Sequence, residues 1–439
     1  MKIVSLDCQS ERGQPCPRDS ALRNSRTKLS ALLAAGMLLP LGSRAQIPPL
    51  VLPEGEGVNI HFVTGHERDL DLIAAAGFKF VRMDFGWGGI ERTKGTYDWS
   101  GYDELTANLE KRGIRALYIL DYSNRLYEEE VTSPNPIGGK PHKTTASPQH
   151  PESVAAFARW AGAAAKRYQG RKIIWEIWNE PNIHFWQPKP DVQQYITLAL
   201  AACKAIRAAD PQATIVAPAT SGFPWEFLET FFKSGVLEHL DAVSVHPYRE
   251  YSKSPETAGA DYAKLKELID RYALAQKQGK IPILSGEWGY SSRTTGVSLD
   301  TQADFAVRQQ LSNLLNGVPL SIWYDWKNDG ADPKENEHNF GTVLPDLKPK
   351  PAYLAIQELT RELSGYALES RLTLTNAEDY ALVFTNRTGK RKLAAWTTGQ
   401  QHTEELDHPR GDRLRLELSS TPKYFSLERT NIQDRLRKP

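Results

Sequence analysis

Eight short apolar runs, each followed by a longer amphipathic stretch, constrain the possible folds of this chain more than any other feature. The runs fall at residues 58–62, 80–84, 116–120, 173–178, 214–217, 242–246, 283–288 and 320–324. Most carry Val, Ile, Leu and aromatics at consecutive positions, as parallel strands covered on both faces require. Helical patterns fill the seven gaps at 69–76, 102–112, 152–168, 191–209, 225–234, 261–278 and 301–316, and 351–363 follows the eighth run. Gly77, Gly113 and Gly317 stand where helix stops are needed. Eight strand–helix units predict an α/β fold, a (β/α)8 TIM barrel. A doubly wound open sheet is the alternative. That fold more often carries a Gly-rich phosphate loop after its first strand, and none is present.

The barrel pattern occupies 46–363. Beyond it, strand-like runs at 380–384, 392–397, 413–418 and 424–427 predict a small C-terminal β-sandwich-like domain over 364–439, ending in a polar, basic tail. Asn386-Arg387-Thr388 matches a glycosylation sequon, but with Gly389 it reads as a turn. The first 45 residues read as a signal peptide. Arg23, Arg26 and Lys28 precede an apolar run at 29–41, and Ser43-Arg44-Ala45 offers small residues for cleavage near Ala45. A secreted or periplasmic location follows as an expectation. The apolar run is too short to span a bilayer comfortably, so no membrane association is expected after cleavage.

Charge and cysteine usage narrow the function. The leader holds seven Lys or Arg against three Asp or Glu, so it carries +4 and the remainder −3 of the total +1. A mildly acidic body has no electrostatic footprint for nucleic acid. Cys8 and Cys16 lie in the leader, which leaves Cys203 alone and without a disulfide partner. No CxxC, HExxH or His-Cys cluster occurs, so neither a metal nor a cofactor is expected.

Functional residues of a (β/α)8 barrel collect at the C-terminal ends of its strands. There the sequence places His61 after the first run, Arg82 in the second with Trp87 beyond, and Asp121 and Tyr122 after the third. The fourth ends in Asn179 and Glu180, with Trp186 further on. The sixth leads to His246 and Tyr248, the seventh to Glu287, and the eighth to Trp323, Tyr324, Asp325 and Trp326. Two carboxylates, on strands that face one another across the mouth, suit hydrolysis of a glycosidic bond. One protonates the departing oxygen, and the other attacks the anomeric carbon or activates water.

The string Trp175-Glu176-Ile177-Trp178-Asn179-Glu180-Pro181-Asn182 resembles the acid/base signature of glycoside hydrolase clan A. Ser285-Gly286-Glu287-Trp288-Gly289 fits the clan's nucleophile position. Within the clan the likeness is to family 39 and its bacterial relatives, which include β-xylosidases and endoglycosidases that cut exopolysaccharides. It runs from about Gly57 to Leu363.

The resemblance implies a retaining O-glycoside hydrolase acting on an oligo- or polysaccharide. Glu180 would be general acid and then base, and Glu287 the nucleophile. Asn179 would bond the sugar 2-hydroxyl, Arg82 would sit below Glu287, and His246 and Tyr248 would position the carboxylates. Trp323 or Trp326 would stack on the sugar. His61, Trp87 and Trp186 are candidate cleft residues that equally suit packing, and Glu176 is expected to satisfy a barrel hydrogen bond or salt bridge. A transglycosylase would use the same residues. A non-catalytic glycan-binding barrel is the other alternative, against which the presence of both Glu180 and Glu287 argues. The sugar, endo or exo action, and oligomeric state stay open.

Overall fold

The computed structural model describes residues 46–134, 140–407 and 413–427. The expected signal peptide with its cleavage site and the polar tail lie outside the described residues. Eight parallel strands close into a barrel: β1 (Glu56–Asn59), β2 (Phe80–Gly86), β3 (Arg115–Asp121), β4 (Ile174–Ile177), β5 (Thr214–Ser221), β6 (Ala242–His246), β7 (Ile283–Trp288) and β8 (Ser321–Trp323). The expected closed α/β barrel is the observed one, with β1 pairing β8 through Gly57 and Ile322. The surrounding helices are α1 (Glu67–Ala76), α2 (Ser100–Lys111), α3 (Pro151–Arg167), α4 (Val192–Ala209), α5 (Trp225–Lys233), α6 (Ala258–Tyr272), α7 (Leu299–Leu315) and α8 (Pro351–Glu362). Asp191 caps α4 by accepting from the backbone of Gln193 and Gln194.

Strand alternation explains where the site lies. Successive side chains of a strand point to opposite faces. Phe80, Leu117, Ile119, Ile174, Ala242 and Leu284 form an apolar cluster. Their neighbours Val81, Ala116, Tyr118, Trp175, Val243 and Ile283 belong instead to the larger core that includes helix residues. One step of two residues up the same inward rows leads from Phe80 to Arg82, from Ile174 to Glu176 and from Ala242 to Ser244. The barrel interior is thus apolar in one layer and charged in the next. Glycine is required in that second layer at Gly286. A Cβ there would stand 2.3 Å from Ser244 Oγ and 3.1 Å from Glu176 Oε2.

The C-terminal region forms a four-stranded antiparallel sheet in the order β9 (Tyr366–Arg371), β10 (Asp379–Asn386), β11 (Arg391–Thr397) and β14 (Lys423–Ser426), beside a two-stranded pair of β12 (His402–Asp407) and β13 (Arg413–Leu418). Leu382, Phe384, Ala394 and Trp396 pack with Leu311 of α7 and Leu359 of α8. The alternate residues Ala381, Val383, Leu393 and Ala395 pack with Leu416 and Leu418 of β13. The sheet is therefore covered on both faces, in the sandwich-like manner expected. Asn386 and Gly389 make the turn, the Asn386 side chain accepting from the backbone of Thr388 and Lys390. Cys203 is buried on α4, where burial pushes its thiol up to about 12.

Some elements differ from the sequence expectation. The first strand ends at Asn59 rather than at residue 62. The helix expected over 261–278 stops at Tyr272, and its tail folds into a separate 3-10 turn over Ala275–Lys277. There Lys277 Nζ donates to the carbonyls of Leu237, Glu238 and Leu240, tertiary bonds that outweigh helix propensity. The long β3–α3 connection contains a hairpin pairing Glu130–Ser133 with His142–Thr145. Its strands carry little apolar alternation, as do β9 and β12, and none of these was legible as a strand.

Candidate active site

A cleft of about 810 Å³ opens at the C-terminal end of the barrel, lined by Glu180, Glu287, Tyr248, Tyr324, Glu337 and Phe185 among others. A smaller depression of about 190 Å³ lies elsewhere and has Asp210 as its one carboxylate.

Arg82 organises the cleft floor. It is fully buried, and its guanidinium donates Nε and Nη2 to Glu176 Oε1 at 2.8 and 2.6 Å. Nη1 donates to Glu287 Oε2 at 2.6 Å and to Asn59 Oδ1 at 3.2 Å, and Nη2 also donates to Asn179 Oδ1 at 2.8 Å. One cation thus lies between two carboxylates, a geometry that tolerates burial because every donor is used. Burial opposes the charge on Arg82, but Glu176 and Glu287 outweigh it and raise its pKa. Glu176 keeps its other oxygen satisfied by Ser244 Oγ at 2.7 Å, in the structural role expected of it.

Glu287 receives a second donor, Tyr248 OH, at 2.8 Å from Oε1. Both oxygens are held, and both donors favour an anion. Burial first, and then the adjacent Glu287 charge, raises the Tyr248 phenol well above its ordinary value. Glu180 meets His246 instead, with Nδ1 2.9 Å from Oε1. His246 Nε2 stands 3.3 Å from Arg82 Nη2. Asn179 is held at both ends, since its Nδ2 donates to Tyr122 OH at 2.9 Å. Glu180 adopts φ +47 and Trp178 φ +68, left-handed conformations that side chains rarely take. The backbone is anchored there by Glu180 N donating to Ala219 O at 3.0 Å. Non-glycine residues held in this region concentrate at functional sites.

Donor atoms of Glu180, His246 and Glu287 all lie within 4.8 Å of one another. In principle such a trio can bind a metal. Here Arg82 already supplies the positive charge on Glu287, which suits a pair of reacting carboxylates better.

The structure brings Glu180, Glu287, Asn179, Arg82, His246 and Tyr248 together, and it separates the tryptophans from them. Trp323 and Trp326 are essentially fully buried, and they donate to Phe340 O at 3.4 Å and to Asp69 Oδ1 at 2.9 Å. Neither offers a free face to a sugar, which corrects the stacking expectation. Trp87 is buried against Tyr127 and Trp160 and bonded to Glu91, and Trp186 is buried against Trp178 and bonded to Gln194. For both, packing is the correct reading, because an aromatic with its N–H satisfied inside the fold buries the most area. His61 does not line the cleft. It is exposed, with Nε2 3.3 Å from Asp325 Oδ2 and its ring edge-on to Tyr324.

The aromatic surfaces of the cleft are Phe185, Tyr248, Tyr251, Tyr324 and Phe340. Glu337 accepts from Tyr324 OH at 2.9 Å, and burial raises its carboxyl. A further depression of about 280 Å³ lies beyond Phe185, lined by Tyr122, Ser123, Thr144, Thr145 and Gln187. Most of these positions come from loops, where sequence patterning has no period to show an inward face.

The family model described as cellulase (glycosyl hydrolase family 5) matches residues 52–330. The chain belongs to this glycosyl hydrolase family. It is a clan A enzyme family, and the fold of this glycosyl hydrolase is also that of family 39 structures. A family 39 glycoside hydrolase from Bacteroides cellulosilyticus superposes with a TM-score of 0.72 at 24% identity, covering 87% of this chain and 81% of that one. A family 39 β-xylosidase from Caulobacter crescentus superposes with a TM-score of 0.59 at 21% identity, covering 82% and 81%. In sequence, a β-xylosidase from Caldicellulosiruptor saccharolyticus is 28% identical over 215 residues. That match spans 45% of this glycosyl hydrolase and 43% of the relative, less than half of either.

Proposed function

We propose that this protein is a retaining glycoside hydrolase that cleaves an oligo- or polysaccharide by double displacement. The observation that carries the reading is the approach of Glu180 and Glu287, with an oxygen of each within 4.8 Å of the other. So close an approach of single oxygens supports the spacing of about 5–5.5 Å between the carboxyls of retaining enzymes over the about 6.5–9.5 Å that inverting ones leave for a water.

In the first step Glu287, held as an anion by Arg82 and Tyr248, attacks the anomeric carbon. Glu180 protonates the leaving oxygen through the carboxyl oxygen that His246 does not engage. The glycosyl–Glu287 ester removes the nucleophile's charge. Glu180, now a carboxylate, takes a proton from water, which attacks the anomeric carbon and releases Glu287. Asn179, fixed by Arg82 and Tyr122, stands beside Glu180 to bond the sugar 2-hydroxyl as charge develops. Tyr324, Phe340 and Phe185 provide the apolar walls that the buried tryptophans do not.

The β-xylosidase likeness makes β-xylosides the first glycones to try. The deciding experiment is mass spectrometry after exposure to 2-deoxy-2-fluoro glycosides with good leaving groups. The expected result is a covalent adduct on the peptide containing Glu287. An adduct on another residue, or inversion at the anomeric carbon seen by NMR, would sink the assignment. Export with cleavage near Ala45 is proposed from the leader alone, and N-terminal sequencing of the protein from its producing cells tests it.

A further inference from the structure

A second group of ligand-type side chains stands beside the cleft, on the loops that follow β1 and β8. His61, Asp325 and Asp329 each bring one donor atom within 4.8 Å of the other two. Asp325 is 1% exposed, and neither of its carboxylate oxygens meets a donor in hydrogen-bond geometry, although the His61 ring lies beside it. A buried carboxylate in that state is costly unless a cation or donors face it.

The nearby cation spends its hydrogen bonds elsewhere. Lys350 Nζ is turned to Ser292 Oγ, Asn328 Oδ1 and Asn339 O. His61 Nε2 stands 3.3 Å from Asp325 Oδ2. That is about the 3.3 Å edge of a tetrahedron with metal–ligand bonds of about 2.0 Å. His61 and Asp329 are both exposed, so an ion has an entry path and water can complete its shell.

We propose that His61, Asp325 and Asp329 form a binding site for a divalent transition-metal ion. One imidazole with two carboxylates suits Zn2+ or Mn2+. Ca2+ prefers six to eight oxygens, and Mg2+ keeps most of its water. The ion would tie the β1 loop to the β8 loop. It would thereby hold the backbone that carries Tyr324, a wall of the cleft. Its role is positional, since the carboxylate pair at Glu180 and Glu287 needs no metal.

The test uses the full chain without an affinity tag, stripped with EDTA and dialysed. Zn2+ alone is titrated in by calorimetry, and thermal unfolding is followed with and without it. His61→Ala and Asp329→Ala run in parallel, because both side chains are exposed and their removal leaves the fold intact. The proposal expects one Zn2+ per chain and a rise in Tm of at least about 2 °C. It also expects binding at least tenfold weaker in each variant, and no comparable shift with Ca2+. Absence of any heat or Tm shift at millimolar Zn2+ overturns it. So does unchanged binding in both variants, which would move the ion to Glu128, Glu129 and His150 or to Asp379, His402 and Glu404.

Discussion

In the proposed mechanism two carboxylates of one type do different work because their neighbours differ. Glu287 is faced by a buried guanidinium and a phenol, which only stabilise charge. Glu180 is faced by the His246 imidazole, which engages one oxygen and leaves the second free to carry a proton. This division predicts how Glu180→Ala behaves. With poor leaving groups, which need protonation, kcat/KM falls by about 10²–10⁴-fold. With activated aryl leaving groups the loss is far smaller. Steady-state kinetics on a paired series of substrates checks this, and equal losses in both would contradict the acid role. Arg82 illustrates a different lesson. It is a single residue with five partners, Glu176, Glu287, Asn179, Asn59 and His246, so its removal would unsettle the floor and Glu287 together.

At the scale of elements, the barrel strands act as rulers. Alternation lifts Arg82, Glu176 and Ser244 one layer above an apolar plug, and β7 can pass close only because Gly286 has no side chain. Gly286→Ala should destabilise the fold by about 1–3 kcal/mol, as overpacking in a filled core does. It should also depress kcat more than KM, since the displaced groups, Ser244, Glu176 and His246, support both carboxylates. Chemical denaturation with parallel kinetics measures both effects. A variant with wild-type stability and kcat would show that the layer is looser than its contacts indicate. The β3–α3 hairpin, Glu130–Ser133 with His142–Thr145, contributes Thr144 and Thr145 to the depression beyond Phe185. Elements of this kind, set on a rigid barrel, are where substrate range is adjusted.

The whole molecule is held together by more than apolar contact between the barrel and the C-terminal sheet. Glu256, in the 3-10 turn directly before α6, accepts Nε and Nη2 of Arg308 on α7 at 2.8 Å each. It also accepts Nε1 of Trp396 on β11 at 2.8 Å. Both members of the ion pair are almost fully buried. Glu256→Ala leaves a buried guanidinium and an indole N–H without their acceptor, and should cost about 3–5 kcal/mol of stability. Urea denaturation of the variant measures it, and a loss below about 1 kcal/mol, the value of a surface pair, would mean that water replaces the carboxylate. Among the described residues, no helix is long and apolar enough to cross a membrane.

The sequence alone determined the barrel, because eight runs apolar on both faces have few other ways to be covered, and strand ends could be read to within a few residues. It also determined the carboxylate pair, because Asn179-Glu180 and Glu287 sit at strand ends where functional groups of this fold collect. Arg82, His246 and Tyr248 were legible for the same reason. Which tryptophans face the sugar was decided only by tertiary structure. Indole rings satisfy both cores and clefts, and burial separated Trp323, Trp326, Trp87 and Trp186 from the cleft-lining Tyr324 and Phe340. The cluster of His61, Asp325 and Asp329 was hidden for a geometric reason. Metal motifs in sequence are local, whereas these residues lie at opposite ends of the barrel pattern and meet only because β8 closes on β1.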